Sequence, residues 1–188
     1  MEIFVEASKR QYGHTFAMLR QAVELCPDEL WDAPGDDPPL WAQMYHTILV
    51  TNGYAAPSLD FKTDDIALRV FGPLRSPEPG EPPFRPLIEA TSKLMNADNE
   101  TQGTLSREEI LNLLTEAQEN CNAALDADAG RTPDDPASNP YPWTGPTAYD
   151  KHMYNMRHLQ HHLGRVNDFL RRRAGIGNPW VMEKVPAG

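Results

Sequence analysis

The sequence predicts an all-α protein, a four-helix bundle with one additional short helix and long proline-rich loops. Three observations carry that expectation. Four segments repeat their apolar residues at intervals of three and four, the period of a helix with one buried face. No run alternates with period two for long enough to make a convincing strand. Proline, glycine and aspartate cluster between the segments, where regular structure does not continue. Four amphipathic faces of this kind are buried by packing helix on helix.

Residues 3 to 26 place Ile3, Phe4, Ala7, Phe16, Leu19, Val23 and Cys26 at mostly helical spacings, and the Pro-Asp that follows closes the first helix. Gly13 costs this helix about 1 kcal/mol relative to Ala, and His14 beside it belongs to the core edge or to solvent rather than to a ligand set. A turn-rich stretch then leads into the second helix, about Pro39 to Tyr54, with Trp41, Met44, Tyr45, Ile48 and Leu49 as its apolar stripe. The prolines at its start suit a first turn, where a missing N–H costs nothing.

From Ala55 to Gly103 the pattern deteriorates, with prolines at 57, 73, 77, 79, 82, 83 and 86. One short helix is expected there, near Leu87 to Met95, and residues 61 to 71 are the only stretch with any strand character. A connection this long is usually functional, a lid, or partly mobile. Ser106 and Glu109 then form an S-x-x-E capping box before a helix from about Arg107 to Asp126, whose Ile110, Leu111, Leu114, Ala117, Cys121 and Leu125 recur at three and four.

The following residues, to Pro146, are too rich in Pro, Gly and Asp for regular structure. The last long helix begins after Pro146, with Thr147 as cap and Asp150 in the first turn. Arg171, Arg172 and Arg173 complement the carbonyl end of its dipole, and Gly175 or Gly177 supplies a left-handed terminus.

Composition narrows the function. A chain of 188 residues is expected to be one domain, burying roughly 70% of its unfolded surface without structural staples, so a bound metal is free to be functional. Seventeen basic against twenty-seven acidic side chains give a net charge of −10, which repels phosphate backbones and argues against nucleic acid. Mean hydropathy is −0.57, and apolar runs break well before the roughly 18 residues of a membrane span. Cys26 and Cys121 are in no paired motif, and no secretory leader is legible, so a reducing cytoplasm is expected.

The histidines carry most of the functional content. On a wheel of 100° per residue, Met156, Leu159, Leu163, Val166 and Leu170 mark the core-facing arc of the last helix. His162 falls roughly 80° and His158 roughly 120° from its centre, adjacent to each other at the margin of the buried face. His161 falls nearly opposite the core, and His152 is one and a half turns earlier, so neither is expected to be a ligand. An i, i+4 histidine pair alone is a weak signal, and a polar helix face explains it equally well.

His46 changes the balance. It lies in mid-helix among apolar residues, where an imidazole needs a partner or bears the cost of burial without one. A hydrogen-bonded core histidine is one account of it, and a metal shared with His158 and His162 is the better one.

The helix-two histidine in "LWAQMYHTIL", followed by "RHLQHHLGRVNDFLR", resembles the DinB/YfiT-like family, whose late helix carries an H-x-x-x-H-x-G type signature. The likeness covers nearly the whole chain in helix order. It implies a four-helix bundle, often dimeric, in which one histidine of the second helix and two of the last bind a divalent metal. Carried over, that assigns His46, His158 and His162, with His161 as a non-ligand neighbour and Gly164 as a close-packing glycine. Some relatives are transferases or isomerases that use low-molecular-weight thiols such as bacillithiol or mycothiol, and many have no established activity. The proline-rich 55 to 103 segment and the loop at 131 to 146 depart from a compact family member.

Three neutral imidazoles leave a divalent ion its full charge and vacant positions, the arrangement of a catalytic site. The expected function is therefore a metal-dependent enzyme that activates a thiol or water against a small electrophile, as a thiol transferase or in a hydrolase-like reaction. Zn, Ni or Fe best suits the nitrogen ligands, and leftover apolar surface makes a homodimer plausible. Arg165, one turn beyond His162, either holds an anionic substrate group or, more commonly for such a residue, is solvated or paired with an acidic neighbour. No residue stands out as general base: Tyr45, Asn155 and Asp150 suit packing, capping or supporting hydrogen bonds. The alternatives are a non-catalytic metal-binding or small-ligand-binding stress-response bundle and an interaction module with no metal.

Overall fold

Seven α-helices follow one another in the structure, a computed structural model that describes residues 2–33, 35, 37–56, 65–81, 85–96, 101–131 and 139–182. In chain order they are α1 (Glu2–Leu25), α2 (Asp28–Trp31), α3 (Leu40–Ala55), α4 (Asp65–Phe71), α5 (Arg85–Lys93), α6 (Arg107–Ala129) and α7 (Ala148–Ala174). No strand occurs among the described residues.

The four long helices, α1, α3, α6 and α7, form the bundle. Both α1 and α3 pack against both α6 and α7, so the helices close a ring in the order α1, α6, α3, α7. Inside it lie Phe16, Leu19, Trp41, Met44, Ile48, Ile110, Leu114, Leu159, Val166 and Phe169, all essentially inaccessible. The expected core arc of α7 is buried from Met156 to Leu170.

Local chemistry fixes where the bundle helices begin and end. Ser106 Oγ accepts from the Glu109 N–H at 3.2 Å, and Glu109 accepts from the Ser106 N–H at 2.8 Å, the reciprocal bonds of a capping box. Thr147 and Asp150 repeat the arrangement at the start of α7. At the other end Gly175 adopts φ 69°, a left-handed conformation open to glycine at no steric cost, and its N–H reaches the Arg171 carbonyl. Gly145, at φ 134°, lies against Asp150, whose Cβ is 2.5 Å from where a side chain on Gly145 would start. Only glycine lets the chain turn this tightly into α7.

Several expectations need correction. Residues 65 to 71, part of the stretch with suspected strand character, form α4; residues 61 to 64 lie outside the described residues. The reason is spacing: Ala67 and Val70 are buried three apart on one helix face, and Phe71 stacks on Tyr45 of α3 with ring centroids 5.9 Å apart. The four-residue α2 had no periodic signal to announce it. It is fixed by Trp31, whose buried ring donates from Nε1 to the Leu105 carbonyl at 2.8 Å. Helix α6 runs on to Ala129, beyond Asp126, and Pro142–Thr144 forms a 3-10 turn within the loop expected to be irregular.

Gly164 is a further correction. It is exposed, and a Cβ placed on it would meet nothing within 4 Å, so it is not a close-packing glycine among the described residues.

Candidate metal centre

Helix α3 contributes His46, held among buried neighbours from Leu40 to Ile48. Helix α7, packed beside it, contributes His158 and His162, one turn apart on one face. The three rings meet: centroids are 4.4 Å apart for His158 and His162, 4.6 Å for His46 and His162, and 5.7 Å for His46 and His158. One nitrogen from each lies within 4.8 Å of the others. His46 and His162 are buried at 8% and 6% exposure, and His158 is half-buried.

No cysteine or carboxylate of the described residues joins this group. His161 is exposed, as the wheel requires. His152 is buried elsewhere, its Nε2 3.0 Å from Asp128 Oδ2. The separation of more than a hundred residues between His46 and the α7 pair is closed by the antiparallel packing of α3 on α7, which also brings Asn155 Nδ2 to the Thr51 carbonyl at 3.1 Å.

The proline-rich segment supplies a partner that the sequence did not reveal. Helix α5 docks on α3, and the backbone carbonyl of Thr91 lies 3.0 Å from His46 Nδ1. A carbonyl only accepts, so Nδ1 carries the proton and Nε2 keeps its lone pair for a ligand. Spacing gives no hint of this, because the acceptor is a main-chain atom.

His158 Nδ1 and His162 Nδ1 are buried with no hydrogen-bond partner among the described residues. Such orphaned polar atoms are costly unless something outside the chain satisfies them. Burial and then the neighbouring imidazoles push the pKa of His158 down to about 3. Burial, His158 and His46, with His161 and Arg165 behind them, push His162 to about 2. His46 is also lowered, by burial ahead of the opposing Thr91 bond. All three rings are therefore neutral donors at neutral pH. A trio of neutral nitrogens with two unsatisfied atoms fits a divalent ion of borderline softness.

The residues weighed as a possible base have structural work instead. Asp150 caps α7, Asn155 bonds to α3, and Tyr45 stacks on Phe71. Arg165 is half-buried on the same stripe as His158 and His162, and it forms no ion pair or hydrogen bond among the described residues. No described helix is long and apolar enough to cross a membrane.

No curated protein and no solved structure matches the chain. The sequence model of the DinB superfamily matches residues 11–166, a span that takes in most of the bundle and all three clustered histidines. By that match the chain belongs to the DinB superfamily.

Proposed function

We propose that this protein is a metal-dependent enzyme of the DinB type in which His46, His158 and His162 hold one divalent ion, with Zn, Ni or Fe best suited to the nitrogen donors. The observation that carries the reading is the convergence of three neutral imidazoles, two with an unsatisfied buried nitrogen, and no fourth protein ligand among the described residues. An ion in that setting supplies Lewis acidity, lowering the pKa of a thiol or water and polarising a carbonyl. The reaction is an attack by a low-molecular-weight thiol or by water on a small electrophile, as in a thiol S-transferase or a hydrolase.

The chain's own part is to orient and to exclude. Thr91 fixes the ring and tautomer of His46. Phe71 stacks on Tyr45, next to His46 in sequence, and α5 docks on the same helix, so His46 is buried at the floor of the site. Tyr45, Asn155 and Asp150 are committed to packing, hydrogen bonding and capping, so the incoming nucleophile loses its proton to solvent or to substrate. A single domain in a reducing cytoplasm, with Cys26 and Cys121 as free buried thiols, completes the proposal. Exposed Trp180 and Met182, which line one cleft with Met18 and Leu163, give a homodimer surface to test.

Elemental analysis of the purified protein tests the centre, with one divalent ion expected per chain and none in the His46→Ala variant. A screen of thiols against alkyl, epoxide and ester electrophiles tests turnover. Stoichiometric metal without turnover in that screen would favour the non-catalytic metal-binding bundle, and absence of metal would overturn both metal readings.

A further inference from the structure

The charge around the three histidines is one-sided. Among the described residues, the groups acting electrostatically on His46, His158 and His162 are one another, His161 and Arg165, and no carboxylate acts on any of them. This is unusual in a chain with twenty-seven acidic side chains and a net charge of −10. Acidic groups elsewhere are spent on arginines: Asp168 pairs with Arg172, Glu89 with Arg75 and Arg85, and Glu109 with Arg69.

Arg165 stands apart from those pairs. His158, His162 and Arg165 follow at i, i+4 and i+7, which puts them on one stripe of α7. The guanidinium is close enough to disfavour protonation of both His46 on α3 and His162 on its own helix. It is half-buried, yet Asp168, the acidic residue one turn on, is already bonded to Arg172 at 2.7 Å. A partly desolvated guanidinium with five donors and no acceptor among the described residues is a ready partner for a bidentate anion.

Resting on the metal reading above, we propose that the site selects substrates bearing an anionic group, a carboxylate above all, and that Arg165 is the residue that binds it. Three neutral imidazoles leave the charge of a divalent ion uncompensated, and Arg165 adds one more positive charge beside it. A thiol that carries a carboxylate can give its thiolate to the ion and its carboxylate to Arg165, whereas a thiol without one leaves the guanidinium unmatched.

The test uses cobalt-loaded protein and two probes that share a thiol, mercaptoacetate and 2-mercaptoethanol, with binding followed by the thiolate-to-cobalt absorption. Cobalt content is measured in the same samples. The wild type is expected to prefer mercaptoacetate by about tenfold, and Arg165→Met to bring the two affinities within about twofold of each other. Cobalt stoichiometry stays as it was in that variant, which shows that the ligand set is intact. No preference in the wild type, or the same preference in Arg165→Met, overturns the assignment while leaving the metal reading standing. A protein that takes up no cobalt overturns the metal reading, and this proposal with it.

Discussion

The Nδ1 of His46 donates to the Thr91 carbonyl across 3.0 Å, joining the second bundle helix to a short helix from the proline-rich segment. That bond leaves Nε2 as the nitrogen free for a ligand, and it ties the tautomer to the docking of α5. Supporting hydrogen bonds of this kind are typically worth 10–100-fold in metal affinity. Leu87→Ala, which removes a buried anchor of α5 one turn before Thr91, is expected to weaken metal binding about tenfold without changing the stoichiometry at saturation. Competition with a chromophoric chelator measures this, and wild-type affinity in the variant would uncouple α5 from the site.

The trio makes a sharper demand than a generic cluster of histidines. Single changes of His46, His158 or His162 to Ala are each expected to abolish stoichiometric metal while far-UV circular dichroism stays helical. His161→Ala, only 5.1 Å ring to ring from His162 but exposed, should keep it. Retention of metal in any of the first three, or loss in the fourth, identifies a different ligand set.

Acid should undo the metal-free protein through the same residues. His158 and His162 are held at about 3 and about 2, against roughly 6.5 in an unfolded chain. Between those values the unfolded chain binds more protons, so stability rises with pH there and is lost as pH falls from about 6.5 towards 3. Denaturant unfolding at pH 7 and pH 5 should show a loss on the order of 2 kcal/mol per histidine, about 4 kcal/mol for the two. The His158→Asn, His162→Asn double variant should lose less over the same range, and an equal loss would place the acid sensitivity elsewhere. Metal uptake at pH 7 should release no protons from the three rings, which calorimetry in buffers of different ionisation enthalpy can read.

A second buried polar group holds the far end of α7. Asp128 Oδ2 accepts from Lys151 Nζ at 2.8 Å and lies 3.0 Å from His152 Nε2, with the three side chains 11%, 4% and 3% exposed. Removing the carboxylate strands a buried ammonium. Asp128→Ala is expected to cost about 3–5 kcal/mol of stability, well beyond the effect of breaking an exposed pair such as Arg85 and Glu89. Metal content should not change, because the ligands lie more than a turn away along α7. A loss below about 1 kcal/mol in urea unfolding would mean that Lys151 finds water or another acceptor.

The parts of this fold that were legible in the sequence are those set by local periodicity and capping. Ser106 with Glu109, Thr147 with Asp150, and the stripe from Met156 to Leu170 each declare an element within a few residues of its own position. The placement of His158, His162 and His161 followed from the same helical geometry. What escaped depends on contacts distant in the chain. Helix α2 exists because Trp31 finds Leu105, and α4 packs through Phe71 on Tyr45. The Thr91 carbonyl and the Asp128 cluster involve a backbone atom and charges brought together only by packing. Gly164 was misjudged for a related reason: its motif suggests close approach, but no neighbour comes near it.

That open space turns Gly164 into a test of the bundle itself. A glycine inside a helix costs about 1 kcal/mol relative to alanine, through the backbone freedom it loses on folding. Such a glycine is retained for packing only where a side chain would collide, and here a Cβ meets nothing within 4 Å among the described residues. Gly164→Ala is therefore expected to stabilise the protein by about 0.5–1 kcal/mol, a rise in melting temperature of roughly 1–4 °C. Gly13, where the nearest atom to an added Cβ is Gln118 Nε2 at 3.9 Å, should behave the same way. If Gly164→Ala lowers the melting temperature while Gly13→Ala raises it, then a second chain or a segment outside the described residues packs against α7 at that point. Sedimentation of the wild type and the variant would separate those two causes, because only the first makes the loss depend on protein concentration.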